Sequence, residues 1–298
     1  MFETLAFSDK PKCIALGFFD GVHIGHQKLL ELCTSFEDLE PCVFTFANHP
    51  AACLAPEHVP AYLTDTSEKE ALLYANGAQR VYMPVFDAQV ARMPPELFLD
   101  FLIHSLGAKA IVSGANHRFG AGAKGDVQLL CSYAEKNGTA VKIAPDVLYG
   151  GRLVSATRIR ACLQEANLDD VRKMLGRPYT IRGKVVHGRG IGTRALYPTA
   201  NLQFDPHRAI PADGVYAGIV EFEQKRLKCV LNIGASPTVE TKERTIEVHV
   251  LGFEGDLYEK QLSLTLSRFI RPQIRFASVE VLKAQIAQDI DVACRSDS

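Results

Sequence analysis

Hydrophobic and polar positions divide the chain into two parts with different periods. In the first, apolar runs of strand length alternate with segments of helical spacing. The runs are Lys12–Gly17, Pro41–Phe46, Arg80–Val85, Lys109–Gly114 and Thr139–Pro145. Between them, His26–Phe36 places Leu29, Leu30 and Cys33 on one helical face. Ser67 and Glu70 read as a capping box ahead of a helix that Gly77 ends. A helix begun by prolines runs over 95–107, and another spans 127–138. This alternation predicts a Rossmann-like α/β domain: a parallel sheet with helices on both faces and ligands at the carboxyl ends of the strands.

After two short helical stretches, Ser155–Ala166 and Leu168–Leu175, the period changes. Six strand patterns follow over 179–188, 199–204, 214–222, 226–234, 245–253 and 262–270, and an amphipathic helix covers 278–290. Six strands with short connections predict a six-stranded antiparallel β-barrel with a terminal helix. The expected division is 1–172 and 173–298.

Composition narrows the function classes. The 298 residues are 47% hydrophobic and 22% charged, which excludes disorder for the bulk of the chain. A net charge of −1 argues against a nucleic-acid coat or a polybasic membrane surface. No apolar run reaches the ~18 residues of a membrane span. The start, MFETLAFSDKPK, lacks the basic-then-apolar order of a signal peptide. The eight cysteines include no CxxC pair and lie mostly among apolar neighbours, as expected of reduced core residues in a cytoplasmic protein.

Four segments carry candidate chemistry. Gly17-Phe18-Phe19-Asp20-Gly21-Val22-His23-Ile24-Gly25-His26 joins the first strand to the first helix. A helix N-terminus offers free N–H groups to phosphate, and two histidines flanking a glycine add side-chain donors. Asn116 follows the fourth strand, within reach of a nucleotide. The formal GxGxxG that runs from Gly120 to Gly125 is displaced from any strand end and reads better as a loop over the ligand than as a dinucleotide fingerprint. Ser155, Thr157 and Arg160 open a helix, either as phosphate ligands or as a cap and a solvated basic face. In the second part, Gly188 and Gly192 belong to a glycine-rich turn followed by Thr199 and Asn201. This is either a phosphate cradle with oxygen ligands for Mg²⁺ or a plain hairpin turn. Glu247 interrupts an apolar strand: an inward carboxylate there accepts a proton from an alcohol, and an outward one is solvated.

Taken together, GFFDGVHIGHQ, GANHRFGAGAKGD, SATRIR, GRPYTIRGKVVHG, YPTANL, GVYAG, NIGASPT and EVHVLGFEGDLY give a chain that resembles the bacterial bifunctional riboflavin kinase/FAD synthetase family along nearly its whole length. The resemblance implies that the second domain phosphorylates riboflavin with ATP to give FMN. It implies that the first transfers AMP from ATP to FMN, giving FAD and pyrophosphate. His23 and His26 match the family's phosphate-stabilising pair, with Gly17, Phe19 and Gly25 in the same motif. Asn116, Ser155, Thr157 and Arg160 match nucleotide-binding positions. Thr199 and Asn201 match the PTAN residues that bind Mg²⁺ and nucleotide, and Glu247 matches the proposed base. The implied partners are riboflavin, FMN and ATP, on a monomer or weak homo-oligomer. Departures cluster at Thr193, Ala195, Leu196 and Tyr197, where the family usually has Arg, Leu, Gly and Phe. His117 stands in place of a usual Phe. Two alternatives are an adenylyltransferase whose barrel only binds flavin, and a flavin-binding regulator without turnover.

Overall fold

A computed structural model describes residues 10–186, 199–235 and 244–295. The chain divides into two compact units, Met1–Ala156 and Thr157–Ser298.

The first unit is built on five parallel strands: β1 (Lys12–Leu16), β2 (Glu40–Phe44), β3 (Arg80–Tyr82), β4 (Ala108–Gly114) and β5 (Ala140–Ala144), in the order β3-β2-β1-β4-β5. Side chains of a strand alternate between faces, so each face has its own apolar cluster. Ile14, Leu16, Phe44 and Ile111 lie on one side; Cys13, Ala15, Val43 and Val112 lie on the other. Helix α1 (Ile24–Thr34) follows β1. The short α2 (Ala51–Leu54) and then α3 (Thr66–Ala75) come between β2 and β3. The short α4 (Ala88–Ala91) precedes α5 (Pro95–Asp100), and α6 (Val127–Lys136) joins β4 to β5. Leu29, Leu30, Cys33 and Leu73 from α1 and α3 cover one face; Phe98, Leu99 and Leu130 from α5 and α6 cover the other.

Three details depart from expectation. The cap of α3 is Asp65, whose carboxylate accepts from the Glu68 N–H at 2.7 Å, with Ser67 donating to that carboxylate. A carboxylate two residues upstream outcompetes the serine hydroxyl for the free N–H groups. The third strand stops at Tyr82 because Pro84 has no N–H to continue a ladder. A two-stranded hairpin, β6 (Leu148–Tyr149) and β7 (Arg152–Leu153), turns through Gly150 and Gly151 at φ 57° and 72°. That Gly-Gly pair supplies the two positive-φ positions of a tight hairpin.

The second unit opens with α7 (Ala156–Gln164) at the boundary and α8 (Leu168–Leu175). Its strands are β8 (Thr180–Val186), β9 (Ala200–Gln203), β10 (Gly214–Phe222), β11 (Lys225–Ala235), β12 (Arg244–Val250) and β13 (Gln261–Arg271). They close a barrel in the order β10-β11-β12-β9-β8-β13, with antiparallel pairing throughout. Tyr216, Leu231, Ile233, Ile246 and Leu264 are among its fully buried side chains. Helix α9 (Val279–Arg295) lays Ala293 and Ile290 against Val215, Ala217 and Val230. A bidentate Arg271–Asp289 ion pair at 2.7 Å, with Asp289 only 2% exposed, pins that helix to β13.

All eight cysteines are free thiols, five of them buried. Among the described residues no helix is long and apolar enough to cross a membrane.

Candidate active sites

In the first unit, the strand order reverses direction between β1 and β4. In open parallel sheets the ligand crevice lies at such a reversal, beyond the carboxyl ends of the strands. The loop after β1 ends at His23, the cap of α1, with His26 in the first turn of that helix, and the loop after β4 carries Asn116 with an exposed side chain. The fold therefore brings both segments to the same end of adjacent strands.

The β1–α1 loop is strained. Phe19 and Val22 have φ of 59° and 38°, and Gly21 between them has 76°. Positive φ in a non-glycine residue costs on the order of 1–3 kcal/mol, and a β-branched residue there is an outlier. The strain is balanced by burial of both side chains. The Phe19 ring folds back over Gly17, where a Cβ would come within 3.0 Å of it, and lies 5.0 Å from the His26 ring.

The two histidines stack, with ring centroids 3.6 Å apart and planes 15° from parallel. His23 is the N-cap of α1: its Nδ1 accepts from the His26 backbone N–H at 3.3 Å. An accepting Nδ1 places the neutral ring's hydrogen on Nε2. In His26, Nδ1 is buried and has no hydrogen-bond partner. A hydrogen there would be an unpaired buried donor, so Nε2 carries it in this ring as well. Burial holds His26 well below the ordinary imidazole range, and the neighbouring His23 and Lys69 push it in the same direction. Nδ1 is thus turned to the protein in both rings, which leaves Nε2 as the donor of each beside a helix N-terminus. Gly25 gives this packing room, since a Cβ would press on the His23 ring at 3.1 Å. The Val154 carbonyl lies 4.0 Å from the same point, which brings the segment leading to Ser155 beside the start of α1. Thr157 and Arg160 follow on α7 and are counted with the second unit.

Two charged residues that the motif reading passed over complete this site. Asp20, 6% exposed, accepts from the backbone N–H groups of Leu63 (2.8 Å) and Thr64 (3.3 Å). Lys69, 3% exposed, donates to the carbonyls of Phe46 (2.6 Å) and Phe18 (3.4 Å). In the sequence, Lys69 falls inside the capping box of Ser67 and Glu70, with nothing in the pattern to mark it as buried; only an acid inside a glycine-rich turn hints at Asp20. The Gly120–Gly125 segment is a closed loop. Phe119 and Gly125 exchange backbone hydrogen bonds (3.1 and 2.9 Å), and Gly120 packs on Pro95. Its glycines serve close chain approach and do not open a helix onto phosphate.

In the second unit the candidate residues form a row on the barrel's strands. Glu247 on β12 pairs with Asn201 on β9 and with Asn232 on β11. Ile246 and Val248, both 0% exposed, take the interior, and Glu247 occupies the opposite, half-buried face. Of the two positions that the sequence pattern leaves open for Glu247, the strand gives an intermediate one: half-buried, on the face opposite Ile246 and Val248. Burial lifts Glu247 above its ordinary range, and a hydrogen bond from the Asn232 side chain pulls it partly back. Asn232 in turn accepts from Gln273 Nε2 at 2.9 Å, which fixes its amide orientation. Thr199, half-buried, stands two residues before Asn201. Gly188, Gly192 and the segment Thr193–Tyr197 lie outside the described residues.

Comparison with known proteins matches this arrangement. The FAD synthetase family model matches residues 6–158, and the riboflavin kinase family model matches residues 175–296. The bifunctional riboflavin kinase/FMN adenylyltransferase of Escherichia coli K12 is 36% identical over 96% of this chain and 93% of its own length. The chain belongs to the bifunctional riboflavin kinase/FMN adenylyltransferase family. Another such protein, from Pseudomonas fluorescens, is 34% identical over 94% of the chain and 92% of its own length. A solved Streptococcus pneumoniae chain described as a macrolide-efflux protein has the same fold throughout. Its TM-score is 0.91 at 30% identity, covering 99% of this chain and 97% of that one. For this family, then, the stacked histidines lie in the FAD synthetase part and Glu247 in the riboflavin kinase part.

Proposed function

We infer that the chain is an enzyme with two activities: it phosphorylates riboflavin to FMN in the barrel and adenylylates FMN to FAD in the parallel-sheet unit. The family membership over nearly its whole length carries this reading. We assign the catalytic segments as 1–172 and 173–298.

For adenylyl transfer, an oxygen of the FMN phosphate attacks the α-phosphorus of ATP, and pyrophosphate leaves. Both reactants are anionic, so the site needs donors and positioning more than a base. His23 and His26 provide N–H donors toward the phosphates. Gly17, Phe19 and Gly25 shape the loop that carries them. Asn116, Ser155, Thr157 and Arg160 are assigned to nucleotide binding.

For the kinase, the nucleophile is a primary alcohol of the ribityl chain. Glu247 accepts its proton as the oxygen attacks the γ-phosphorus of ATP and ADP leaves. A carboxylate lifted by burial is a better proton acceptor than an exposed one. Thr199 and Asn201 are assigned as Mg²⁺ ligands. Their hydroxyl and amide oxygens beside a carboxylate are the hard donors that this ion takes. Bound there, Mg²⁺ supplies charge neutralisation on the nucleotide phosphates. Gly188 and Gly192 are assigned to the phosphate cradle. The reading includes a cytoplasmic location, a monomer or weak homo-oligomer, and no nucleic-acid or membrane partner; a net charge of −1 and free cysteines support it.

Incubating the protein with riboflavin, ATP and Mg²⁺ and separating the flavins by chromatography tests this. FMN followed by FAD is the expected course. FAD from supplied FMN but unchanged riboflavin would mean a barrel without kinase chemistry, the outcome that the substitutions at Thr193–Tyr197 would favour. Flavin binding with no ATP consumed would overturn both activities.

A further inference from the structure

We propose that Lys69, with Asp20 and Thr64, is a positioning residue of the adenylyl-transfer site: Lys69 and Thr64 from α3 and its lead-in, and Asp20 from the loop itself, hold the β1–α1 loop in the form that stacks His23 on His26. The proposal rests on the reading of that pair as phosphate donors.

Lysine is almost never fully buried without partners. Methionine would fill the same space without desolvating a charge, so packing alone does not account for the ammonium. What the ammonium secures is main chain. It binds the carbonyl of Phe46, just past β2, and the carbonyl of Phe18, just past β1, and lies 4.4 Å over the Phe18 ring. The Phe18 carbonyl also accepts from Thr45 Oγ1 at 2.9 Å. The next residue is Phe19, where the positive-φ stretch begins. Asp20 and Gly21 continue the attachment: Asp20 accepts from Leu63 and Thr64, and the Gly21 N–H donates to Thr64 Oγ1 at 3.1 Å. Every residue from Phe18 to Gly21 is thus fastened to the segment 63–69 or packed in the core. Strained conformations persist only where the surroundings over-determine them. Here the surroundings are this set of contacts, and Val22 and His23 follow directly from it. Lys69 also helps to keep His26 neutral.

The test uses the full chain and steady-state adenylyl transfer from ATP to FMN, with riboflavin phosphorylation by the same preparation as the control for intact protein. Lys69→Met is expected to lower kcat for FAD formation about 10- to 100-fold, with both KM values within about twofold. His26→Ala is expected to lose more. Adding Lys69→Met to His26→Ala is expected to cost less than about threefold further, because Lys69 acts through the pair. Thr64→Val, which removes one acceptor at constant volume, is expected to lower kcat about fivefold and carries the test if Lys69→Met fails to fold. Wild-type kcat in Lys69→Met or, failing that protein, in Thr64→Val would overturn the proposal. So would a loss confined to KM, or full multiplicativity in the double variant. Wild-type FAD formation by His26→Ala would overturn the reading of the histidine pair and this proposal with it. An impaired His26→Ala beside an unimpaired Lys69→Met would overturn this proposal alone.

Discussion

The two units place their candidate residues in different ways. In the first, His23 and Asn116 sit on loops beyond the ends of β1 and β4, where no ladder holds the backbone, and His26 follows in the first turn of α1. In the second, Asn201, Glu247 and Asn232 sit on the strands themselves, one per strand, aligned by the register of β9, β12 and β11. A strand site takes its geometry from hydrogen bonds that the fold already makes. A loop site needs extra fasteners, and the first unit supplies them as a buried carboxylate and a buried ammonium beneath a strained turn. Side-chain substitutions near the loop should therefore act on chemistry, and backbone disturbances in the barrel should act first on stability.

The sharpest break between the units comes from single substitutions in each. Glu247→Gln keeps the shape of the side chain but removes the proton acceptor. It should lower riboflavin phosphorylation by about 10²–10⁴-fold and leave FAD formation from supplied FMN unchanged. His26→Ala should do the opposite, lowering FAD formation by about 10²–10³-fold with FMN formation intact. Chromatographic separation of the flavins reads both.

The next effect is on stability. A Cβ at Gly183 would collide with the Gln203 carbonyl and the Leu202 side chain across the β8–β9 pair. Gly183→Ala should cost the barrel about 1–3 kcal/mol, seen in hydrogen exchange of the strand amides of the second unit and not of the first.

The smallest effect depends on pH. Burial lowers His117 from 6.5 to about 4. As pH falls, the unfolded chain takes up this proton before the folded one does. The first unit therefore loses stability between about pH 6.5 and pH 4, and the histidine has no such effect above that range. His117→Phe should relieve about 1–2 kcal/mol at pH 5 and nothing attributable to titration at pH 7.5. Equal shifts at both pH values would show that the gain is packing alone.

Much of this organisation is legible in the residues. The change of period near residue 176 separates sheet from barrel, because period 2 and period 3.6 patterns are set by side-chain direction alone. His23-Ile24-Gly25-His26 marks its own site, since the chemistry and the strand–turn–helix context lie within one short segment. What the pattern hides is tertiary. Lys69 looks solvated because its partners are carbonyls at positions 18 and 46. The side of the strand that Glu247 takes depends on which neighbours the barrel buries. The Leu148–Leu153 hairpin is too short to show a period, although its Gly-Gly turn is a usable sign.

We propose that the segments 1–172 and 173–298 work as separate catalysts and that FMN passes between them as an ordinary product. Mixing the Glu247→Gln and His26→Ala proteins with riboflavin, ATP and Mg²⁺ tests it most directly. Neither variant alone should yield FAD at the wild-type level, and the mixture should, because FMN made by one protein is adenylylated by the other. A mixture that accumulates FMN without forming FAD would contradict the independence of the two sites.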